Sequence, residues 1–303
     1  MNVLILIAGL FGAALALAAP LPAWQATDGL DDPHLGQVWD THAQRWLEPQ
    51  QLVDALLDEP RVILGERHDH PDHHRLQLWL LEQLQAQRPQ GALVMEMLQS
   101  SQQPQVDALQ GKPLPADPML AEELQWQPGW DWALYGPLVR WGLAVPQRLL
   151  TANLDRDELM AFYRDPSSDV SGYPASARAK LERIIIASHC DLIEASQVAP
   201  MLRIQQARDL RMGQALATAP APALLMPNGG LRRWSCCYRK RVARCPARSR
   251  RTSSGWLRDC LSRTIVRGCA RRLRARRCGC ADAGCCAACP AAWQQCHLPA
   301  LPG

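Results

Sequence analysis

The sequence predicts an α/β fold, a mostly parallel sheet flanked by helices, with an irregular Arg/Cys-rich C-terminal tail. Three observations predict it. Short apolar runs alternate with longer helical patterns from Arg61 to Met226, the order that gives βα units and a parallel sheet. Each apolar run is followed within two residues by a polar one, as expected where strand ends form a ligand-bearing rim. The third observation is a break in composition. Residues 228–303 carry 17 Lys and Arg against only Asp259 and Asp282, and 11 of the 12 cysteines. Residues 1–227 carry 16 basic and 27 acidic residues, so the overall charge of +4 averages a front part of −11 and a tail of +15. A chain of 303 residues that is 48% hydrophobic supports a buried core and excludes wholesale disorder.

Taken in order, the first element is the apolar run from Asn2 to Ala19, which closes on Ala16-Leu17-Ala18 before Pro20. It has the length and small-residue ending of a secretory segment, although no Lys or Arg precedes it. Residues 1–18 are therefore expected to be a signal peptide, and the protein to be exported and periplasmic or outer-membrane-associated. The run is at the short end for spanning a bilayer, and no Cys follows it to carry a lipid. Four apolar runs then read as buried strands: Arg61 to Leu64, Ala92 to Met95, Arg148 to Ala152 and Ala223 to Met226. Between them, Pro71 to Gln87 puts Leu76, Leu80, Leu81 and Leu84 on one helical face, with Asp69 or His70 as cap and Pro71 in the first turn. Asp131 to Leu143, Ala175 to Ala195 and Pro200 to Ala217 are the other long helical patterns, and Pro104 to Pro118 reads as a loop-rich interruption. With parallel strands, the strand-end residues Glu66, Glu96, Asn153 and Asn228 share one rim.

The densest chemical signal is Gly65-Glu66-Arg67-His68-Asp69-His70-Pro71-Asp72-His73-His74, which places four of the eight histidines within seven residues. Gly65 permits a tight strand exit, and His70 and His74 fall one helical turn apart. Imidazole and carboxylate at such spacing suit a transition metal or an acid/base pair; the plainer alternative is a solvated polar turn. Glu96 either joins Glu66 on the rim or caps a neighbouring group. The aromatics of Trp130-Asp131-Trp132-Ala133-Leu134-Tyr135 read as core packing. Cys190 reads as a buried inert thiol, with a nucleophile or soft ligand as the alternative. Arg208, Arg211 and Met212 fall on neighbouring helical faces, where surface ion pairing is the plainer reading.

Together, Gly65-Glu66-x-His68-Asp69 with His73-His74 and Gln77, the strand ending at Glu96, Trp132-x-x-Tyr135-x-Pro137, Ala152-Asn153-Leu154, His189-Cys190 and Gln206-Ala207-Arg208-Asp209-x-x-Met212 resemble the ChaN-like haem-binding uptake proteins of the wider TIKI/TraB superfamily. The resemblance runs from about Gln51 to Arg233. It departs from the family at Pro227-Asn228-Gly229-Gly230-Leu231-Arg232, where Gly230 replaces the usual histidine, and in lacking the lipidated Cys of many members. It implies an exported, non-enzymatic α/β protein that binds haem in iron acquisition. Glu66, His68, His74, Tyr135, Tyr163, Tyr173, His189 and Arg208 are the candidate haem-site residues. Tyr135, Tyr163 or Tyr173 would supply an axial phenolate, the last two placed by the sequence at a polar loop from Arg164 to Pro174. Arg208, Arg211 or a motif histidine would meet the propionates. A haem gripped at one edge leaves an apolar face exposed, so a haem-promoted homodimer is expected, with components of a haem-uptake receptor or transporter as further partners. The alternative implied by the superfamily is a metal-dependent hydrolase using Glu66, His68 and Glu96, with His189 as a further ligand.

From about Gly230 the chain loses all helical or strand periodicity. Reading a GC-rich coding sequence out of frame produces this mixture of Arg, Cys, Ala and Pro, so residues 19–229 are expected to be the haem-binding domain and 230–303 a frameshifted segment. The rival reading is a thiolate cluster of Cys278, Cys280, Cys285, Cys286, Cys289, Cys296 and His297. Nucleic-acid binding by the basic tail leaves eleven cysteines of an exported protein unexplained, so no nucleic-acid partner is expected.

Overall fold

In the computed structural model the described residues are 19–167, 173–189 and 192–227. The expectations for residues 1–18, Cys190, Asn228, Gly230 and the tail fall outside them. The elements in chain order are β1 (Val38–Asp40), β2 (Arg45–Leu47), α1 (Pro49–Leu57), β3 (Arg61–Ile63), α2 (Pro71–Gln87), β4 (Ala92–Gln99), α3 (Gln103–Leu109), α4 (Asp117–Glu123), α5 (Trp132–Ala144), β5 (Arg148–Asn153), α6 (Arg156–Arg164), α7 (Ala175–Ser188), α8 (Ala195–Thr218) and β6 (Ala223–Met226). Strands β1 and β2 pair as an antiparallel hairpin. The other four form one parallel sheet in the order β3-β6-β4-β5, the α/β architecture that the sequence predicts.

Two-residue periodicity explains how the sheet is covered on both faces. Leu93, Met95, Leu149, Leu224 and Met226 pack into one core with residues of α1, α2 and α5, including Leu56, Leu81, Leu84, Leu138 and Leu143. The alternate residues Ala92, Val94, Ala152, Ala223 and Leu225 meet Met212, Leu216 and Ala219, from α8 and its end. The alanines on that face let the long helix lie close to the strands. Gly91, at the entry to β4, abuts the backbone at Pro220 and Ala221, where a Cβ would collide.

Local chemistry sets the helix ends. Pro71 occupies the first turn of α2 behind His70 as N-cap, and the Asp131 carboxylate accepts from Ala133 N at 2.9 Å to start α5. Glu48 with Gln51, Asp155 with Glu158 and Glu194 with Gln197 form capping boxes on α1, α6 and α8. That last box starts α8 at Ala195, so Pro200 sits inside the helix rather than opening it, and α7 stops at Ser188 rather than continuing to Ala195. The Pro104 to Pro118 stretch is likewise more ordered than expected. Pro104 and Pro118 lie in the first turns of α3 and α4, where a missing N–H costs nothing.

Residues 19–26 run as a strap along α2. Trp79 Nε1 donates to Ala19 O at 2.9 Å, and the Asp72 carboxylate accepts from Gln25 N and Ala26 N at 2.8 and 2.9 Å. Among the described residues no helix is long and apolar enough to cross a membrane.

Candidate functional site

The turn from β3 into α2 and the start of α5 meet at the carboxyl end of the sheet. Gln77 of α2 donates to the Leu64 carbonyl at 3.1 Å and fixes the strand exit. Glu66 follows, only 3% exposed. Its Oε1 accepts from the Tyr135 hydroxyl, and its Oε2 lies 3.1 Å from His74 Nδ1. The His74 contact is an ion pair whose approach is off the hydrogen-bond axis, since neither atom has a hydrogen-bond partner. His74 Nε2 faces the His68 carbonyl at 3.0 Å, and His68 Nδ1 sits 2.8 Å from the Tyr135 hydroxyl. Because that hydroxyl gives its proton to Glu66, His68 donates to it through Nδ1–H. Trp130 meets the His68 ring edge-on at 5.0 Å.

Burial alone would raise the Glu66 carboxyl, but the polar groups around it, the His68 and His74 imidazoles and the Tyr135 hydroxyl, outweigh it and hold it below the ordinary carboxylate range. Burial would likewise lower His74, and the Glu66 carboxylate reverses this, so its imidazole keeps a proton above the usual value. Burial, with Glu66 beside it, pushes the Tyr135 phenol far up and opposes any phenolate there. His73, half-buried and stacked on His70 at 4.4 Å, is pushed down to about 4 by that burial and by the neighbouring His70; its Nδ1 accepts from Arg67 N at 2.7 Å.

These shifts predict a stability maximum near pH 6.5. Unfolded His73 takes a proton near 6.5 that the folded ring refuses down to about 4, so stability falls as pH drops through that window. His74 has the opposite sign, and its contribution is present below 6.5 and lost as pH rises through its raised folded value. Thermal unfolding from pH 4 to 9 is expected to show both limbs, with His73→Gln flattening the acid limb alone.

The structure distributes the remaining candidates over the rim. Glu96 lies inside β4 rather than at its end, one residue past the pair Met95↔Met226 that closes the β6 register, and is buried. Asn153 ends β5 and donates to the Glu96 carbonyl at 2.9 Å. Among the described residues no three His, Cys, Asp or Glu side chains are grouped to hold a metal ion. The Tyr135 hydroxyl bridges Glu66 and His68, so Glu66, His68 and Glu96 do not fit a metal centre.

Tyr163 belongs to α6 rather than to the loop that follows, and its carbonyl accepts from Arg203 at 2.9 Å. Tyr173 packs against Leu181, Ile185 and Leu202, and its hydroxyl donates to Asp209 Oδ2 at 2.6 Å. His189, the C-cap of α7, faces the Ile185 carbonyl through Nδ1 at 2.7 Å. Arg211 donates to Glu158 at 2.6 Å and to Ser100 Oγ, whereas Arg208, half-buried beside it, makes no such bond among the described residues. Two shallow clefts flank these helices. One of about 230 Å³ is lined by Glu158, Ala161, Phe162 and Asp165; the other, of about 390 Å³, lies between α7 and α8 against Ile186, Ile193 and Val198. Asp209 enters the sequence reading only as a letter of the family motif and without a role, although its spacing from Gln205, which donates to it at 2.7 Å, is the helical i, i+4 signal.

This chain is similar to known proteins. The family model described as haem-binding uptake, Tiki superfamily, ChaN matches residues 52–230. Among solved structures, the one reporting cofacial haem binding to ChaN of Campylobacter jejuni is similar, with 25% sequence identity and a TM-score of 0.56 over 63% of this chain and 79% of that one. No curated protein matches. The family match covers more than half of the chain and spans the sheet, the Glu66 turn and the α6 to α8 flank, so the chain belongs to the ChaN family of haem-binding uptake proteins in the Tiki superfamily.

Proposed function

We propose that this protein binds haem on the α6 to α8 flank of the sheet, as an exported, non-enzymatic component of haem and iron uptake that works with receptor or transporter proteins. The observation that carries this reading is the division among the described tyrosines. Tyr135 is fully buried and its hydroxyl is committed to Glu66, so it serves the fold. Tyr163 and Tyr173 are half-buried on the helical flank, the flank that also carries the two clefts and the half-buried Arg208. A phenol, an apolar wall and a guanidinium are the groups that a ferric porphyrin with carboxylate arms needs. Bound haem would supply a ferric centre that accepts an anionic phenolate oxygen. Tyr163 offers a hydroxyl with no hydrogen bond among the described residues, and Asp209 accepts the Tyr173 proton and orients that ring. Glu66, which a hydrolase would need in contact with substrate, is sealed from solvent, which favours binding over hydrolysis.

The exposed face of a haem held at one edge is covered most simply by a second copy. Cofacial haem binding is reported for ChaN of Campylobacter jejuni, and it supports this reading. Leu192, 74% exposed beside the α7–α8 cleft, adds apolar surface to that flank. Titrating ferric haem into the full-length chain is expected to give a saturable Soret shift with a phenolate charge-transfer band, and sedimentation to show a monomer becoming a dimer with haem. Absence of the Soret shift would sink haem binding; a haem-loaded monomer would sink the dimer alone.

A further inference from the structure

We infer that Arg208 is the carboxylate anchor of the ligand site and makes it selective for tetrapyrroles whose acid groups are free. The inference rests on the haem reading above and specifies what the site recognises.

Charged neighbours of Arg208 on α8 are engaged. Asp209 holds Tyr173 and Gln205. Arg211 holds Glu158 and Ser100. Arg203 donates to the carbonyls of Phe162 and Tyr163 at 3.1 and 2.9 Å. Arg208 stands apart. Its Nε is shielded from solvent without a hydrogen-bond partner, and among the described residues no carboxylate forms an ion pair with it. Shielding a guanidinium N–H without a partner is unfavourable, and such a group in a folded protein calls for a missing partner.

Position says what that partner is. Met212, one turn after Arg208 on the same face, joins the core cluster that holds Val94, Ala152 and Leu225 of the sheet, with Leu216 and Ala219 following along the helix. α8 therefore descends along the sheet, and Arg208 lies level with the carboxyl ends of the strands. Helical side chains tilt toward the helix N-terminus, which carries its guanidinium further toward the rim. Arg211 confirms the level, because it reaches Ser100 just past β4, and Ser100 Oγ in turn donates to Asn153 O at the end of β5. Ligands of parallel sheets collect at this rim. A guanidinium there, with its donors in a planar fork, pairs best with a carboxylate. Arg211, although its position is similar, is occupied by Glu158 and braces α6 against α8.

The test compares ferric haem with its dimethyl ester, which keeps the iron and the ring and loses both negative charges. With the full-length chain, haem is expected to bind at least tenfold more tightly than the ester. Arg208→Gln is expected to bind the two equally while the Soret maximum of the haem complex stays unchanged and the melting temperature does not fall. Arg208→Lys is expected to restore part of the preference. Arg211→Gln is expected to lower the melting temperature and keep the preference. Equal binding of acid and ester by the unsubstituted chain, or an undiminished preference in Arg208→Gln, overturns the inference and leaves haem binding intact. Failure of both ligands to bind overturns the haem reading and the inference with it.

Discussion

Replacing Glu66 by Gln is expected to lower the stability of the folded domain by about 3–5 kcal/mol, the usual effect of removing one partner from a buried ion pair. Glu66 and His74 are 3% and 2% exposed. The carboxylate is the anion for the His74 imidazole and the acceptor of the Tyr135 proton. Without its charge, His74 loses the interaction that keeps it protonated, and Tyr135 and His68 lose the acceptor that orders their hydrogen bonds. For a domain of this size such a loss shifts the melting temperature by on the order of 10 °C. Tyr135→Phe removes one hydrogen bond and keeps the ring, so it is expected to be milder, about 1–3 kcal/mol. Chemical denaturation of both variants, with a double-mutant cycle between Glu66→Gln and His74→Gln, measures the coupling. Additive effects at those two positions would show that the pair contributes nothing as a pair.

The second large effect is expected at the iron ligand. One of the substitutions Tyr163→Phe and Tyr173→Phe should abolish the phenolate charge-transfer band and weaken ferric haem binding by more than the roughly 10- to 100-fold that losing an outer-shell partner costs. The other should leave the band in place. Asp209→Asn distinguishes the two further. If Tyr173 is the ligand, this substitution removes the acceptor that holds its hydroxyl at 2.6 Å and should cost about 10- to 100-fold in affinity. If Tyr163 is the ligand, Asp209→Asn should leave the band unshifted. A band that survives in both tyrosine variants would remove the phenolate from the α6 to α8 flank.

The sequence by itself determined the sheet and its long helices, because those follow from short-range periodicity. Ala92 to Met95 and Ala223 to Met226 are apolar on both alternations, as strands covered on two faces must be, and they pair in register as β4 and β6. Pro71 and the leucine spacing marked α2 at both ends, since a proline in the first turn and an i, i+4 face need no distant partner. Where structure departed from expectation, local signals competed. Pro104 and Pro118 read as breakers and instead start helices. The signal that begins α8 was the capping box of Glu194 and Gln197, not Pro200.

What the polar residues do emerges only when separate elements dock, because their roles depend on partners far away in sequence. Tyr135 becomes the partner of Glu66 across 69 residues. Of the four clustered histidines, His74 becomes the buried counter-ion while His70 and His73 stack on each other. Arg208 and Arg211 are three residues apart on one helix and equivalent as letters. Glu158, brought up by α6, takes one and leaves the other. Periodicity records which face of an element is buried, whereas charge pairing is settled only when separate elements dock at a few ångströms, and no spacing within one segment encodes that distance.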